Sequence, residues 1–276
     1  MKEFSFLVIP DIELGRPHFD LCDAGIWDPF RRKKRVVKRG IERRLAGVTK
    51  LLPEEVKFAI TVGDLTDSAL PEQFSKVKEI LADELLTVLV VGNHDLWPFR
   101  KLWDPILSWK HYEETDEPIG LKIFEEIFRE NLQQLSEFFN GWQKQKSSFL
   151  NYTFLYNDVR FIVIDNMSRH HAILGFPGTI GFPHLYPETK DWLQKQLSQE
   201  EKIKIIISHS PLKRELLEAL SGDAEIINIA GHHHRCSLRK SNNITTFVTG
   251  ALYLEPVVTV VKILLDKVQF CPMRIP

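Results

Sequence analysis

The chain has 276 residues, with 43% hydrophobic and 26% charged side chains, a composition typical of a globular protein. Its formal net charge of −1 argues neither for nor against binding to nucleic acid. The three cysteines show no CxxC spacing, which argues against a disulfide framework or a zinc–cysteine site and fits a reducing compartment. The first residues do not resemble a secretory signal, and no apolar run approaches the ~20 residues that span a bilayer. We therefore expect a soluble, cytoplasmic protein.

Apolar runs typical of buried strands alternate with amphipathic segments in the first part of the chain. Apolar residues recur there every three or four positions, which predicts helices between the strands. The predicted order is a strand over 4–9, a helix over 30–52, a strand over 58–62, a helix over 71–86 and a strand over 88–91.

Residues 97–148 interrupt this alternation and are rich in aromatic side chains. Phe124, Phe128 and Leu132 follow helical spacing, which predicts a mainly helical insertion. We interpret residues 1–276 as a single domain that carries this insertion. After it we predict a hairpin over 152–156 and 159–164, a helix over 186–197, strands over 203–207 and 226–230, and a strand-rich tail over 245–270.

Residue types that bind metal ions follow six of the apolar runs. In an open α/β sheet, ligands bind beyond the carboxyl ends of the strands, so we expect these residues to meet at one edge of one sheet. Carboxylates, an amide oxygen and imidazoles that converge there indicate a metal site. The stretches are Asp11-Ile12-Glu13, Gly63-Asp64-Leu65-Thr66-Asp67, Gly92-Asn93-His94-Asp95, Asp165-Asn166, Ser208-His209 and Gly231-His232-His233-His234.

These motifs resemble those of the calcineurin-like metallophosphoesterases, whose pattern is DxH, GDxxD, GNH[DE], a lone His after a strand, and GHxH. The chain matches the last four elements in order, and its hairpin and following helix resemble the branch of phosphodiesterases and purple acid phosphatase-like enzymes. The resemblance implies a four-layer α/β/β/α sandwich of two mixed sheets flanked by helices. It also implies hydrolysis of a phosphodiester or phosphomonoester by a hydroxide that bridges two metal ions.

The resemblance also assigns roles to individual residues. Asp64 would bridge two divalent cations, for which Mn²⁺ or Fe is favoured and Zn²⁺ is possible, because imidazole suits the later transition metals. His94 would be the general acid, with its pKa raised by a hydrogen bond to Asp67. The remaining ligands would be Asp11, position 13 and His234 for one cation, and Asn93, His209 and His232 for the other.

One motif departs from the family pattern, because Glu13 stands where the family has histidine. Either Glu13 is itself a ligand, or His18 replaces the missing imidazole. In isolation, Asp64 and Asp67 could be a helix cap and a turn, and a lone His209 could be structural. We expect His233 to point outward and Asp165-Asn166 to lie outside the site. Weaker candidates for substrate binding are Arg16, His18, His170 and His171.

The expected partner is a small phosphate ester. No membrane contact is expected, nucleic acid is disfavoured, and no protein partner can be inferred. The aromatic insertion could stack on nucleobases, but packing onto the sheet is the favoured interpretation. Two alternatives stay open: a non-catalytic scaffold, which the altered first motif permits, and a nuclease of the same family.

Overall fold

The computed structural model describes residues 2–15, 40–50, 52–98, 118–169, 183–220, 222–265 and 267–275. The strands are β1 (Phe4–Ile9), β2 (Val56–Thr61), β3 (Thr87–Val88), β4 (Asn140–Lys144), β5 (Tyr152–Tyr156), β6 (Val159–Ile164), β7 (Ile203–Ser208), β8 (Glu225–Ala230), β9 (Ser237–Ser241), β10 (Ile244–Val248), β11 (Val257–Ile263) and β12 (Val268–Arg274). The described helices are α1 (Ile41–Lys50), α2 (Pro71–Val77), α3 (Ile119–Ile127), α4 (Arg129–Phe138), α5 (Pro187–Leu197) and α6 (Arg214–Leu220).

The strands form two mixed sheets. The five-stranded sheet has the order β12-β11-β1-β2-β3, with β1, β2 and β3 parallel. The seven-stranded sheet has the order β4-β5-β6-β7-β8-β10-β9, with a parallel centre of β6, β7, β8 and β10. The ligand-type stretches follow β1 to β3 in one sheet and β6 to β8 in the other. The expectation of one edge of one sheet is therefore wrong: the carboxyl ends of parallel strands from both sheets form the site.

A large apolar core joins the two sheets. Phe161 of β6 contacts Phe6 and Phe58 edge-on, with ring centroids 5.5 and 5.6 Å apart, and those two rings stack on each other at 5.5 Å. Such ring pairs contribute ~0.5–1.5 kcal/mol beyond the buried area. Alternate residues of β6, such as Ile162, instead pack towards α5 and α6 in a second cluster. Both faces of this sheet are thus covered, and the predicted layered sandwich of two mixed sheets is confirmed.

Some elements differ from the sequence prediction. Strand β3 has two residues, not four, because the chain beyond it bonds to side chains: Val90 donates to the Thr61 hydroxyl, and Leu89 exchanges hydrogen bonds with the Tyr152 hydroxyl. The predicted helix over 71–86 ends in a π-helical turn, Lys78–Ala82. Of the helix predicted over 30–52, α1 is the described part. Helix α6 and the edge strands β4 and β9 had no clear signal, because little of their surface is buried.

The insertion is only partly helical, since it ends in β4. Apart from the exposed Phe138, its described phenylalanine rings pack inward: Phe124 and Phe128 lie edge-on to Phe74, and Phe139 stacks on Phe154 with ring centroids 4.0 Å apart. For the described part of the insertion, packing onto the sheets is therefore the better interpretation.

Among the described helices, none has both the length and the apolar character needed to cross a membrane.

Candidate metal centre

The side chains predicted as metal ligands lie in one connected polar cluster at the ends of the two sheets. Each follows the end of a strand, so the local chain direction carries the side chain out of the core and towards the opposite sheet. The cluster contains Asp11 after β1, Glu13 two residues further, Asp64 after β2, Asn93 after β3, His209 after β7, and His232 and His234 after β8.

One half of the cluster surrounds the ring of His209, which is fully buried. Its Nδ1 donates a hydrogen bond of 2.7 Å to the Val62 carbonyl, so in the neutral ring Nε2 carries a lone pair. That nitrogen lies 3.0 Å from Asn93 Oδ1, 3.2 Å from Asp64 Oδ2 and 3.2 Å from His232 Nδ1. Several electron-pair donors thus face one another, and a proton or a metal ion must lie among them.

The other half contains Asp11, Glu13 and His234. The Nε2 atom of His234 lies 3.2 Å from Asp11 Oδ2 and 3.3 Å from Glu13 Oε1. Glu13 is buried, with only 4% of its surface exposed, and its φ of 48° is unusual for a residue other than glycine. Its main-chain N–H donates to the Asp64 carbonyl at 2.7 Å, which stabilises this conformation. The structure therefore places Glu13 within the cluster.

Two glycines allow the carboxylates to approach the main chain. A Cβ on Gly92 would lie 2.1 Å from Asp64 Oδ1, and a Cβ on Gly231 would lie 2.0 Å from Asp11 Oδ1. Both distances are too short for any side chain. The glycines of the GNHD and GHHH motifs are thus required because the adjacent chain passes directly against a ligand-type carboxylate.

The charges of the cluster are strongly coupled. Burial alone would lower the pKa of His209, but the neighbouring Asp64 outweighs it and raises that pKa to about 10. Burial and the positive charge of His209 lower the pKa of His232 to about 3. Burial raises the pKa of Asp11, whereas His209 and His94 overcome burial and lower the pKa of Asp64. The cluster therefore holds excess negative charge that protons on histidines offset.

The donor set fits metal ions. Asp11 Oδ1 is buried and has no hydrogen-bond partner among the residues that the structure describes, as expected of an atom reserved for a cation. Oxygen and nitrogen atoms of Asp11, Asp64 and His234 lie within 4.8 Å of one another, and so do those of Glu13, Asp64 and His94. Metal ions could replace the protons that the cluster otherwise needs.

The sequence profile of the calcineurin-like phosphoesterases matches residues 4–236, which include the whole cluster. The chain belongs to this family. Among solved structures, GAP50, the anchor in the inner membrane complex of Plasmodium, has 11% identity and a TM-score of 0.51, with 100% of this chain and 89% of that chain covered. A putative 5′-nucleotidase from Staphylococcus aureus has 14% identity and a TM-score of 0.50, with 99% and 54% covered. At such identities the likeness shows the fold alone. Comparison with curated protein sequences gives no match.

In this member of the family, His94 lies beside the cluster. Its main-chain N–H donates to Asp64 Oδ1 at 2.9 Å, and its ring Nδ1 donates to the main-chain carbonyl of Asp67 at 2.8 Å. The predicted hydrogen bond between His94 and Asp67 is thus made by the carbonyl, a correction to the expected carboxylate. Burial would lower the pKa of His94, but Asp64, Glu13 and Asp67 outweigh burial and raise it to about 9.

Two residues near the cluster were missed by sequence reasoning. The buried carboxylate of Asp95 accepts hydrogen bonds from the main chain of Leu65, Thr66 and Gly92, so it ties the second motif to the third. The family pattern GNH[DE] ends in an acidic residue, and that position could have drawn attention to Asp95. The Tyr253 hydroxyl lies 2.8 Å from His234 Nδ1, and no motif indicates that contact.

Some of the other residues considered in the sequence analysis are described by the structure, and some are not. His233 is exposed, in agreement with the sequence prediction. The Asn166 side chain brackets the main chain of Ser210, donating to its carbonyl at 2.6 Å and accepting from its N–H at 3.2 Å. Asp165 pairs with Arg169 outside the cluster. Arg16, His18, His170 and His171 lie outside the described residues.

Proposed function

We propose that this protein is a hydrolase that cleaves a small phosphate ester by means of two bound divalent cations. The observation that carries the proposal is the convergence of Asp64, Asn93 and the Nε2 atom of His209 within about 3 Å, beside an Asp11 oxygen that accepts no hydrogen bond from the described residues. A structural core would not bury these groups together without a counter-charge.

The cluster divides into two ligand sets that share Asp64. Mn²⁺ or Fe suits the mixture of carboxylate and imidazole best, with Zn²⁺ as the third candidate. With three carboxylates, two divalent cations would keep one excess positive charge, which favours binding of an anion such as hydroxide. We assign Asp11, Glu13, Asp64 and His234 to one cation, and Asp64, Asn93, His209 and His232 to the other.

When bound, such cations polarise a phosphoryl oxygen and acidify water, which supplies the nucleophile. His94 supplies the proton for the leaving oxygen. Its Nδ1 is held by the Asp67 carbonyl, so Nε2 is the atom that can donate. The pKa of about 9 keeps His94 protonated at neutral pH, and cations beside Asp64 would lower it towards the range where an acid catalyst works best.

The fold is compatible with a non-catalytic scaffold, since GAP50 is described as an anchor. In this chain, however, the buried carboxylates, amide and imidazoles converge, and a scaffold has no need of them. That favours catalysis. A nuclease is less favoured, since Phe124, Phe128 and Phe139 of the insertion are buried and only Phe138 is exposed among its described phenylalanines.

The test is hydrolysis of bis(p-nitrophenyl) phosphate and p-nitrophenyl phosphate by metal-stripped protein to which Mn²⁺ is returned. Metal content and turnover should both depend on added cation, with two ions bound per chain. Asp64→Asn should lose both, because that carboxylate serves both ligand sets. The matched control Asp223→Asn, an exposed carboxylate, should change neither. Turnover of neither ester in protein with two bound ions would favour the scaffold.

A further inference from the structure

Arg169 is a buried cation just beyond the end of β6, with 6% of its surface exposed. Its Nη2 donates to Asp165 Oδ2 and to the Ser148 carbonyl, and the guanidinium lies 4.8 Å from the centroid of the Phe149 ring. These contacts hold the guanidinium plane in one orientation. A rigid guanidinium loses little conformational freedom when it binds an oxyanion.

The same guanidinium is incompletely satisfied. Its Nε and Nη1 atoms are buried and find no hydrogen-bond acceptor among the residues that the structure describes. Leaving a buried charged donor unpaired is costly, and most such donors in proteins have a partner. A bound oxyanion would supply the acceptors that the described residues lack.

Arg169 is anchored beside the candidate metal centre. Ile164 of β6 pairs with Ser208 of β7, so Asp165 and His209 are each the next residue along neighbouring parallel strands. Neighbouring strands lie about 4.8 Å apart. Asp165 continues the face of β6 that carries Phe161 towards the opposite sheet, which is the face His209 continues on β7. The ion pair and the metal centre thus share one side of the sheet.

Within that side, contacts link the segment that leads to Arg169 with the chain on either side of His94. The residues after His94 pack against the segment that leads to Arg169, because Leu96 and Trp97 form an apolar cluster with Met167. The neighbouring strand β5 is tied to the chain just before Asn93 by the Tyr152 hydroxyl, which bonds to Leu89. His94 is the proton donor to the leaving oxygen in the proposed function, so Arg169 lies on the leaving-group side.

We propose that Arg169 binds an oxyanion carried by the leaving alcohol, and that the substrate is a phosphate ester with a second anionic group, a carboxylate or a second phosphate. The inference rests on the proposed function for the direction of the leaving group. Asp165 neutralises part of the arginine charge and orients it, while Nε and Nη1 remain for the ligand.

The test compares Arg169→Gln with Asp165→Asn, the two partners of one ion pair. The substrates are phenyl phosphate, the isomeric carboxyphenyl phosphates and the isomeric phenylene bisphosphates. The measured quantity is the ratio of kcat/KM for each anionic ester to that for phenyl phosphate. Because both values come from one preparation, the ratio does not depend on the folded fraction, and intrinsic differences between esters cancel between variants.

For at least one anionic ester, Arg169→Gln should lower the ratio about tenfold or more, as expected for loss of charge-assisted hydrogen bonds. Asp165→Asn should raise it, because the arginine charge is then unopposed. A purely structural ion pair would leave the ratio unchanged in both variants, which would overturn the inference. Arg169→Lys keeps the charge and should lower the ratio less than Arg169→Gln does. If Arg169→Gln does not fold, Arg169→Lys is measured in its place. Whichever of the two ester series responds identifies the oxyanion.

A binding measurement separates this inference from the proposed function. If the wild-type protein hydrolyses none of the esters, the proposed function fails. Calorimetric titration with the free hydroxybenzoates and with phenol still reports on Arg169. Hydroxybenzoate should bind more tightly than phenol, and Arg169→Gln should remove the difference. If no ester is hydrolysed, equal binding of hydroxybenzoate and phenol by the wild-type protein would reject the anion site. If the esters are hydrolysed, unchanged kinetic ratios would reject it while the proposed function stands.

Discussion

His209 Nε2 lies 3.0 Å from Asn93 Oδ1, although one residue follows a strand of the seven-stranded sheet and the other follows a strand of the five-stranded sheet. The candidate metal centre therefore exists only while the two sheets are packed together. The aromatic contacts of Phe6, Phe58 and Phe161 between the sheets set the spacing that this contact requires.

We predict that His94→Ala retains its metal ions and loses ~10²–10⁴ in kcat, the usual contribution of general acid catalysis. The loss should shrink for esters with good leaving groups, because their oxygens need less protonation. Turnover measured across a series of substituted phenyl esters tests this. The control is His233→Ala, which changes the exposed middle histidine of the GHHH motif and should match the wild-type protein. A loss that is the same for good and poor leaving groups would contradict the acid role.

Glu13→His should shift metal preference from Mn²⁺ towards Zn²⁺ or Fe²⁺, because it replaces a hard oxygen donor near His234 with imidazole and removes one negative charge. Competition between these ions, followed by metal analysis, measures the shift, and the pH–rate profile should move with it. Glu255→His, at an exposed site, should leave both unchanged. If Glu13→His behaved in the same way as that control, Glu13 would not be a ligand.

Tyr253→Phe should weaken binding of one metal ion by about 10–100-fold, the usual effect of losing a hydrogen bond behind a ligand histidine. When His234 binds a cation through Nε2, its Nδ1 carries the proton and donates it to the tyrosine oxygen. The phenylalanine ring preserves the packing, so thermal stability of the metal-free protein should change little. Calorimetric titration with Mn²⁺ measures the affinity. The control is Tyr156→Phe, which changes a half-buried tyrosine at the end of β5.

Glu201 should contribute to stability in a pH-dependent way. Its carboxylate accepts two hydrogen bonds of 2.7 Å from the buried Arg160 guanidinium, which lowers the pKa of Glu201 from its ordinary value of 4.5. A depressed folded-state pKa gives stability that is complete above the ordinary value and is lost as the pH falls through the folded-state value.

Chemical denaturation should therefore show Glu201→Gln to be less stable than wild type by about 1.5–3 kcal/mol at pH 7. The difference should narrow as the pH falls below 4.5. The control is Glu218→Gln, which removes a solvent-exposed partner of Arg214 and should cost at most ~1 kcal/mol. A difference for Glu201→Gln that did not vary with pH would refute the prediction.

The identity of the ligand-type residues could be predicted from the sequence. Motifs such as GNHD and GHHH place metal-binding side chains just after apolar runs, and both strand formation and ligand chemistry depend on residues close together in the chain. The layered sandwich was implied by the resemblance of these motifs to the calcineurin-like metallophosphoesterases, whereas the local patterns alone predicted one edge of one sheet. The sequence left open whether Glu13 or His18 supplies the ligand, because both follow the first predicted strand closely in the sequence.

Other features were decided by contacts between distant parts of the chain. Tyr253 reaches His234, Asp95 ties the second motif to the third, and side chains of Thr61 and Tyr152 take the hydrogen bonds that would have lengthened β3. Periodicity reports which face of an element is apolar, but not which distant face covers it. The burial of Glu13 beside Asp64 and His234 arises only when the two sheets pack and exclude water from it.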